Sequence, residues 1–169
     1  HDGRLASMNT FMDESYVPGS QWKVLDFIQP EYMDYIESYL GEILSNYEVD
    51  GFFVDMLFYV PGASWSRAAR KLRREHGLMG NDHGSHVRFE SLAQRIFCER
   101  ITSFVQARAP AASLFYNTPN NLYLPHDQGA AARWPQQSHV EVESLPSGIW
   151  GYQHFPKVAR RLLTQSRPW

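Results

Sequence analysis

The strongest constraint on this chain is a helix-length amphipathic stretch that passes, through one short turn, into a strand with no polar face. Pro30 sits where a helix can accept it, in the first turn. Tyr32, Tyr35, Ile36, Tyr39, Leu40, Ile43, Leu44 and Tyr47 then recur at helical spacing, with Glu31, Asp34 and Glu42 between them. The early acids suit the positive end of a helix dipole. Glu48-Val49-Asp50-Gly51 makes a turn, and Gly51-Phe52-Phe53-Val54-Asp55-Met56 follows, short and nearly all apolar. A strand apolar on both sides must be covered on both sides, as strands of parallel sheets are. Helix, turn and buried strand in quick succession is the rhythm of α/β architecture.

The pattern repeats downstream. A basic helix is expected over roughly Trp65–His76, a break over Gly77–Ser85, and a long helix from about Val87 to Ala107. Leu114-Phe115-Tyr116-Asn117 reads as a second buried strand and Ser138–Ser144 as a third. Between them lies a long loop, Thr118–Gln137, with a short helix near Gln128–Arg133. Leu145–Phe155 is a Gly- and aromatic-rich loop, and Pro156 opens a last helix to about Gln165. Residues 1–29 carry many turn formers, with a short strand near Trp22–Leu25. The expected arrangement is parallel strands with helices outside. Long loops leave the C-terminal ends of the strands, the edge where α/β sheets and barrels bind ligands.

Composition narrows the function classes. A chain 43% hydrophobic and 20% charged, with a formal net charge of -2, can bury a core and is not built as a disordered segment. That balance supplies no basic face, so nucleic acid is not an expected partner. The one cysteine, Cys98, excludes an internal disulfide framework and a cysteine zinc site. No run of about 18 apolar residues exists to cross a membrane as a helix. The 169 residues begin His1-Asp2-Gly3, without Met, and end on Trp169 just after a helical pattern. The expectation is a piece of a larger chain, its location left open with the cytoplasm favoured.

Several residues could carry chemistry. Asp55 ends an apolar strand, where a carboxylate is costly inside a core and well placed at a barrel mouth; it could equally cap a helix or anchor a loop. In His139-Val140-Glu141-Val142-Glu143 the period of two puts His139, Glu141 and Glu143 on one face and the valines on the other. On a sheet surface that is plain polar-out alternation. Facing a barrel axis, two adjacent carboxylates would repel, one would hold its proton, and a general acid would result. Asn117 ends the second strand in phase with Phe115, and its amide could bind a sugar hydroxyl or start the turn at Thr118-Pro119. Trp150, Tyr152, His154 and Phe155 share one loop; they could stack on and hydrogen-bond a sugar, or plug a barrel rim.

Weaker signals have plainer readings. His83-x-x-His86-x-x-x-Glu90 has a metal-like look but reads as a solvated loop and helix start. Arg67, Arg70, Lys71, Arg73 and Arg74 read as the wet face of an outer helix. Cys98, in mid-helix, reads as a buried structural thiol. No glycine-rich phosphate loop is present, since Gly148-x-x-Gly151 lacks the flanking strand and helix.

Three strings carry a resemblance: Val49-Asp50-Gly51-Phe52-Phe53-Val54-Asp55-Met56, His139-Val140-Glu141-Val142-Glu143-Ser144-Leu145-Pro146-Ser147-Gly148, and Trp150-Gly151-Tyr152-Gln153-His154-Phe155-Pro156. They resemble the hypothetical glycosyl hydrolase 6 family, related to bacterial alpha-L-fucosidases and to beta-galactosidase-like proteins, some with a trimerisation domain. The likeness runs from the Asp2-Gly3-Arg4 segment to the last helix. It departs after Tyr59–Gly62, where the family carries clustered cysteines and this chain reads Ala63-Ser64-Trp65-Ser66-Arg67-Ala68-Ala69.

The resemblance implies a catalytic (β/α)8 TIM barrel, of which residues 1–169 hold a partial domain from about the third or fourth strand to the sixth helix. A whole barrel takes about 250 residues. It implies a retaining glycoside hydrolase, alpha-L-fucosidase-like, with Asp55 as nucleophile and Glu143, ahead of Glu141, as acid/base. Asn117, His139, Trp150, Tyr152 and His154 would contact the carbohydrate substrate. No metal or organic cofactor is required, homo-oligomers could form through regions outside this chain, and the segment alone would be inactive. A beta-galactosidase-like enzyme of the same fold and a non-catalytic carbohydrate-binding relative are the alternatives.

Overall fold

The computed structural model of the chain describes residues 6–7, 23–55, 57, 64–117, 136–139, 144–147 and 151–163. Among them, the order is β1 (Ala6–Ser7), β2 (Lys23–Val24), α1 (Pro30–Asn46), β3 (Gly51–Val54), α2 (Arg67–Glu75), α3 (His83–Arg108), β4 (Ser113–Tyr116) and α4 (His154–Leu163). The result is a helix-rich α/β arrangement with one parallel strand pair.

β3 and β4 pair in parallel, with Gly51 opposite Ser113 and Val54 opposite Tyr116. The start of this register explains a glycine: a Cβ on Gly51 would fall on the Ser113 hydroxyl and carbonyl. Alternation divides the strands cleanly. Phe52, Val54, Leu114 and Tyr116 join the helical core, packing with Met33 and Leu40 of α1 and with Phe89, Ala93, Phe97, Ile101 and Val105 of α3. Phe53 and Phe115 point the other way and meet at 5.2 Å between ring centroids.

Helix α3 displays two adjacent rows of residues four apart. Phe89, Ala93, Phe97, Ile101 and Val105 form the apolar row, all buried. Gln94, Cys98 and Thr102 form a buried polar row beside it, and this row fastens the sheet. The Gln94 amide donates to the Leu57 carbonyl at 3.3 Å. The Tyr116 hydroxyl donates to the Cys98 carbonyl and shares a 2.8 Å hydrogen bond with Thr102. Burial, reinforced by Cys98 and opposed by the Thr102 bond, pushes the Tyr116 phenol well above its usual range.

Helices α1 and α3 are also tied by charge. The Arg100 guanidinium makes two bonds to Glu37, at 2.6 and 2.9 Å, and one to Asp34 at 2.5 Å. Hydrogen bonding by Arg100 holds the Glu37 carboxyl below its ordinary range. An unfolded chain therefore binds a proton at Glu37 more readily, and the ion pair's stabilisation is present above the ordinary glutamate range and lost as pH falls through the folded value. Arg100→Ala is expected to cost about 1–2 kcal/mol near neutral pH. In urea titrations the gap between variant and parent should narrow as the solution is acidified below that range; a gap independent of pH would refute this account.

Four expectations need correction. The segment at Trp22–Leu25 does form a strand over Lys23–Val24, but it pairs antiparallel with Ala6–Ser7 in a separate two-stranded sheet. It is no neighbour of β3, because backbone pairing is decided by the partner's approach and not by apolar pattern. The third strand is not formed at its start: Ser138 and His139 lie in a bend, with the Ser138 amide donating to the Leu114 carbonyl at 2.9 Å along the edge of β4. Residues 140–143 lie outside the described set.

Helix α3 begins at His83, four residues early, because Asp82 caps it by accepting from the Ser85 amide and hydroxyl. Those bonds hold the Asp82 carboxyl below its usual range. The apolar stripe of α1 is also narrower than its spacing suggested. Tyr35, Tyr39 and Tyr47 are exposed, a position their amphipathic rings tolerate.

A closed barrel is not formed by the described residues, whose parallel sheet has two strands. None of their helices is long and apolar enough to cross a membrane.

Candidate functional site

Asp55 and Asn117 each follow the last residue of a parallel strand, so the β3–β4 register sets them side by side. The Asn117 side-chain amide donates to Asp55 Oδ1 at 2.7 Å. The backbone around the pair is knitted as tightly. The Asn117 amide donates to the Val54 carbonyl at 2.8 Å, and the Asn117 carbonyl accepts from the Leu57 amide at 3.0 Å. Asn117 is thus bonded to Val54 and Leu57, which bracket Asp55 and its successor in the chain. Leu57 is held in turn by Gln94, whose amide also donates to Glu90. Asn117 is 5% exposed, whereas Asp55 is exposed to solvent.

Below this pair, toward the strands' N-terminal ends, lies an aromatic surface. Phe53 and Asp55 share a strand face, as do Phe115 and Asn117. Phe53 is 54% exposed. Phe115 is buried beneath the His139 ring, stacked at 5.9 Å and 27°. His139 Nδ1 lies 3.0 Å from the Ser138 hydroxyl. The structure therefore gathers three of the expected site residues, Asp55, Asn117 and His139, on one side of the sheet. The chemistry available there is a carboxylate fixed by an amide donor, next to flat apolar rings.

The remaining expected site residues fall differently. His154 opens α4, is buried, and has Nδ1 3.0 Å from the Ser144 hydroxyl. Tyr152 is 85% exposed. Glu141, Glu143 and Trp150 lie outside the described residues.

The metal-like trio does not assemble. His86 is set edge-on to Trp65, Glu90 accepts from Gln94, and His83 starts a helix. Among the described residues no group of three or more His, Cys, Asp or Glu is arranged to hold a metal ion.

The basic run over Arg67–Arg74 contains one residue that overturns the wet-face reading. Arg73 is 1% exposed. Its guanidinium carbon lies 4.4 Å from the Trp65 ring centre and 3.8 Å from that of Phe89. It donates to the carbonyls of Ser64 and Leu78. The Leu78 amide returns to the Arg73 carbonyl at 2.7 Å and the Gly77 amide to that of Arg74, closing α2 in a Schellman turn with Gly77 at positive φ. Ser64, itself at φ 63°, also donates to Asp26 at 2.9 Å. Arg73 and Asp26 together hold the backbone where it enters α2.

Gln94 and Arg73 were not singled out from sequence as parts of this scaffold. Gln94 had a usable signal, a polar residue inside the apolar stripe of a long helix. Arg73 had none, since one basic residue in a run of five looks like the others.

No family model matches the chain, and no curated protein matches it. Among solved structures the chain is similar to "Alpha-L-fucosidase isoenzyme 2 from Paenibacillus thiaminolyticus", with a TM-score of 0.67 and 25% identity over 83% of this chain. The matched region is 20% of that chain, so this chain spans about a fifth of that fucosidase's length. The likeness supports a fucosidase-like relationship, and the helix-rich α/β arrangement is consistent with part of a glycosidase fold.

Proposed function

We propose that residues 1–169 are part of the (β/α)8 catalytic domain of a retaining, alpha-L-fucosidase-like glycoside hydrolase, with Asp55 as its nucleophile. The observation that carries this reading is the placement of Asp55. It is a carboxylate at the C-terminal end of a parallel strand, held by Asn117 from the next strand, in a chain whose fold resembles that of a fucosidase. That strand edge is where α/β folds assemble their active sites.

In the proposed reaction Asp55 attacks the anomeric carbon as the glycosidic bond breaks, and Glu143, or else Glu141, protonates the departing oxygen. The same carboxylate then takes a proton from water, which displaces Asp55 and restores the original configuration. The acid/base should stand about 5–5.5 Å from Asp55; a separation of about 6.5–9.5 Å would mean inversion instead. His139, Trp150, Tyr152 and His154 are proposed to contact the carbohydrate. The chemistry requires no metal or organic cofactor.

A 2-deoxy-2-fluoroglycosyl fluoride of the preferred sugar slows the second step and traps the covalent intermediate. Treating the full-length protein with the fucosyl and galactosyl reagents and mapping the labelled peptide tests the reading. The label is expected on Asp55 with the fucosyl reagent. Labelling by the galactosyl reagent alone would favour a beta-galactosidase-like activity. Turnover with the label on another carboxylate would refute the nucleophile assignment, and sugar binding without any turnover would favour a non-catalytic relative.

A further inference from the structure

The sequence pattern suggests Asn117 as a sugar-binding amide, and the geometry points to a different role. We infer that Asn117 is a positioning residue that aims the Asp55 carboxylate at the reacting carbon, an inference that rests on the nucleophile reading above.

The side chain is turned on Asp55, to which it donates at 2.7 Å. An ionised carboxylate only accepts hydrogen bonds, so the donor end of the amide is the end that fits it. A side chain can fix another only if it is itself fixed, and Asn117 is buried with both of its backbone polar groups bonded, to Val54 and Leu57. These are the residues flanking Asp55 and its successor. The brace continues through the Leu57 carbonyl to Gln94 on α3, a long helix locked to α1 by Arg100. Asp55, by contrast, lies at a solvent-exposed strand end, where a short hydrogen bond from a fixed donor narrows the rotation of its carboxylate about χ1 and χ2. Orientation of a nucleophile to within a fraction of an ångström is worth orders of magnitude in rate, and a displacement of about 1 Å can cost about 100-fold.

A residue acting through Asp55 must lose its influence when Asp55 is gone, which a double-mutant cycle reads directly. In the full-length protein, Asn117→Ala is expected to lower kcat on an aryl glycoside by about 10- to 100-fold, with KM within about twofold of the parent. Asn117→Leu keeps the volume without the donor and should behave alike, so that a folding defect particular to the alanine variant does not decide the outcome.

The cycle is closed in the Asp55→Gly background with azide supplied as the nucleophile. Azide bonds to the anomeric carbon as the aryloxide leaves with a proton from the acid/base, and no oxidant or reductant is needed. There the Asn117 substitutions should change the rescued rate by less than about twofold.

An equal loss in the azide-rescued background would overturn the inference, since Asn117 would then act on the sugar. So would an undiminished kcat in both variants, or a lower melting temperature with kcat per folded molecule unchanged. Failure of azide to rescue Asp55→Gly would remove the nucleophile reading, and this inference with it. Indifference of kcat to Asn117 beside a rescued Asp55→Gly would remove this inference alone.

Discussion

Replacing Asp55 by glycine in the full-length protein is expected to lower kcat/KM on an aryl alpha-L-fucoside by about 1000-fold or more, a loss of about 4 kcal/mol in transition-state stabilisation. The size follows from the proposed role of Asp55 as nucleophile. Without the carboxylate no glycosyl-enzyme forms, and the two-step route is closed. The product of azide rescue carries further information. Azide entering the space left by Asp55 attacks from the side opposite the leaving group, so the glycosyl azide should have inverted configuration. A product of retained configuration would mean that Asp55 is the acid/base and the nucleophile lies elsewhere. Near-normal hydrolysis by Asp55→Gly would dismiss it from the chemistry. Chiral assignment of the azide by NMR separates these cases.

The second large effect is structural. Arg73→Ala is expected to destabilise α2 and its entry by about 3 kcal/mol or more, because three losses coincide. The carbonyls of Ser64 and Leu78 lose a buried donor, at about 1–3 kcal/mol for each group left unsatisfied. The guanidinium leaves the faces of Trp65 and Phe89, where a desolvated cation–π contact contributes about 2 kcal/mol. A cavity opens between the rings. Partial collapse recovers some of this, so the terms do not sum. Hydrogen exchange in α2 should accelerate about 100-fold, more than for Arg70→Ala one turn away on the exposed side. Arg73→Met should fall between, restoring volume without donors. Equal effects at positions 70 and 73 would return Arg73 to the status of a surface charge.

These two residues mark opposite ends of what a linear reading can see. Asp55 stood out because a carboxylate closing an apolar strand is out of place in a core, and the oddity is visible within six residues. Arg73 lay in a run of like charges, and nothing within one helical turn separates the buried member from its exposed neighbours. Its burial depends on Trp65 before the helix and Phe89 on the next one. Gln94 lies between these cases. It interrupts an apolar stripe, which is readable, but its target is a carbonyl 37 positions earlier in the chain.

The elements themselves were legible wherever the signal is local. Pro30 and the apolar spacing behind it place α1 at its observed bounds, and the segments read as Gly51–Met56 and Leu114–Asn117 locate the parallel strands, observed at Gly51–Val54 and Ser113–Tyr116. The errors fell where a cap or a partner decides. Asp82 extended α3 by a turn through two hydrogen bonds to Ser85. Lys23–Val24 took an antiparallel partner from the first residues of the chain.

By itself, then, the sequence determined periodicity, charge balance, a lone buried cysteine and a carboxylate at a strand end. These are properties of neighbours along the chain, governed by backbone propensity and by the need to bury apolar faces. Only the tertiary structure decided that the Asn117 amide, 62 positions away, closes on Asp55, and that Arg73 leaves water for two aromatic faces. Such contacts depend on helix packing and on strand register, where a shift of one residue turns every side chain of the strand to the opposite face.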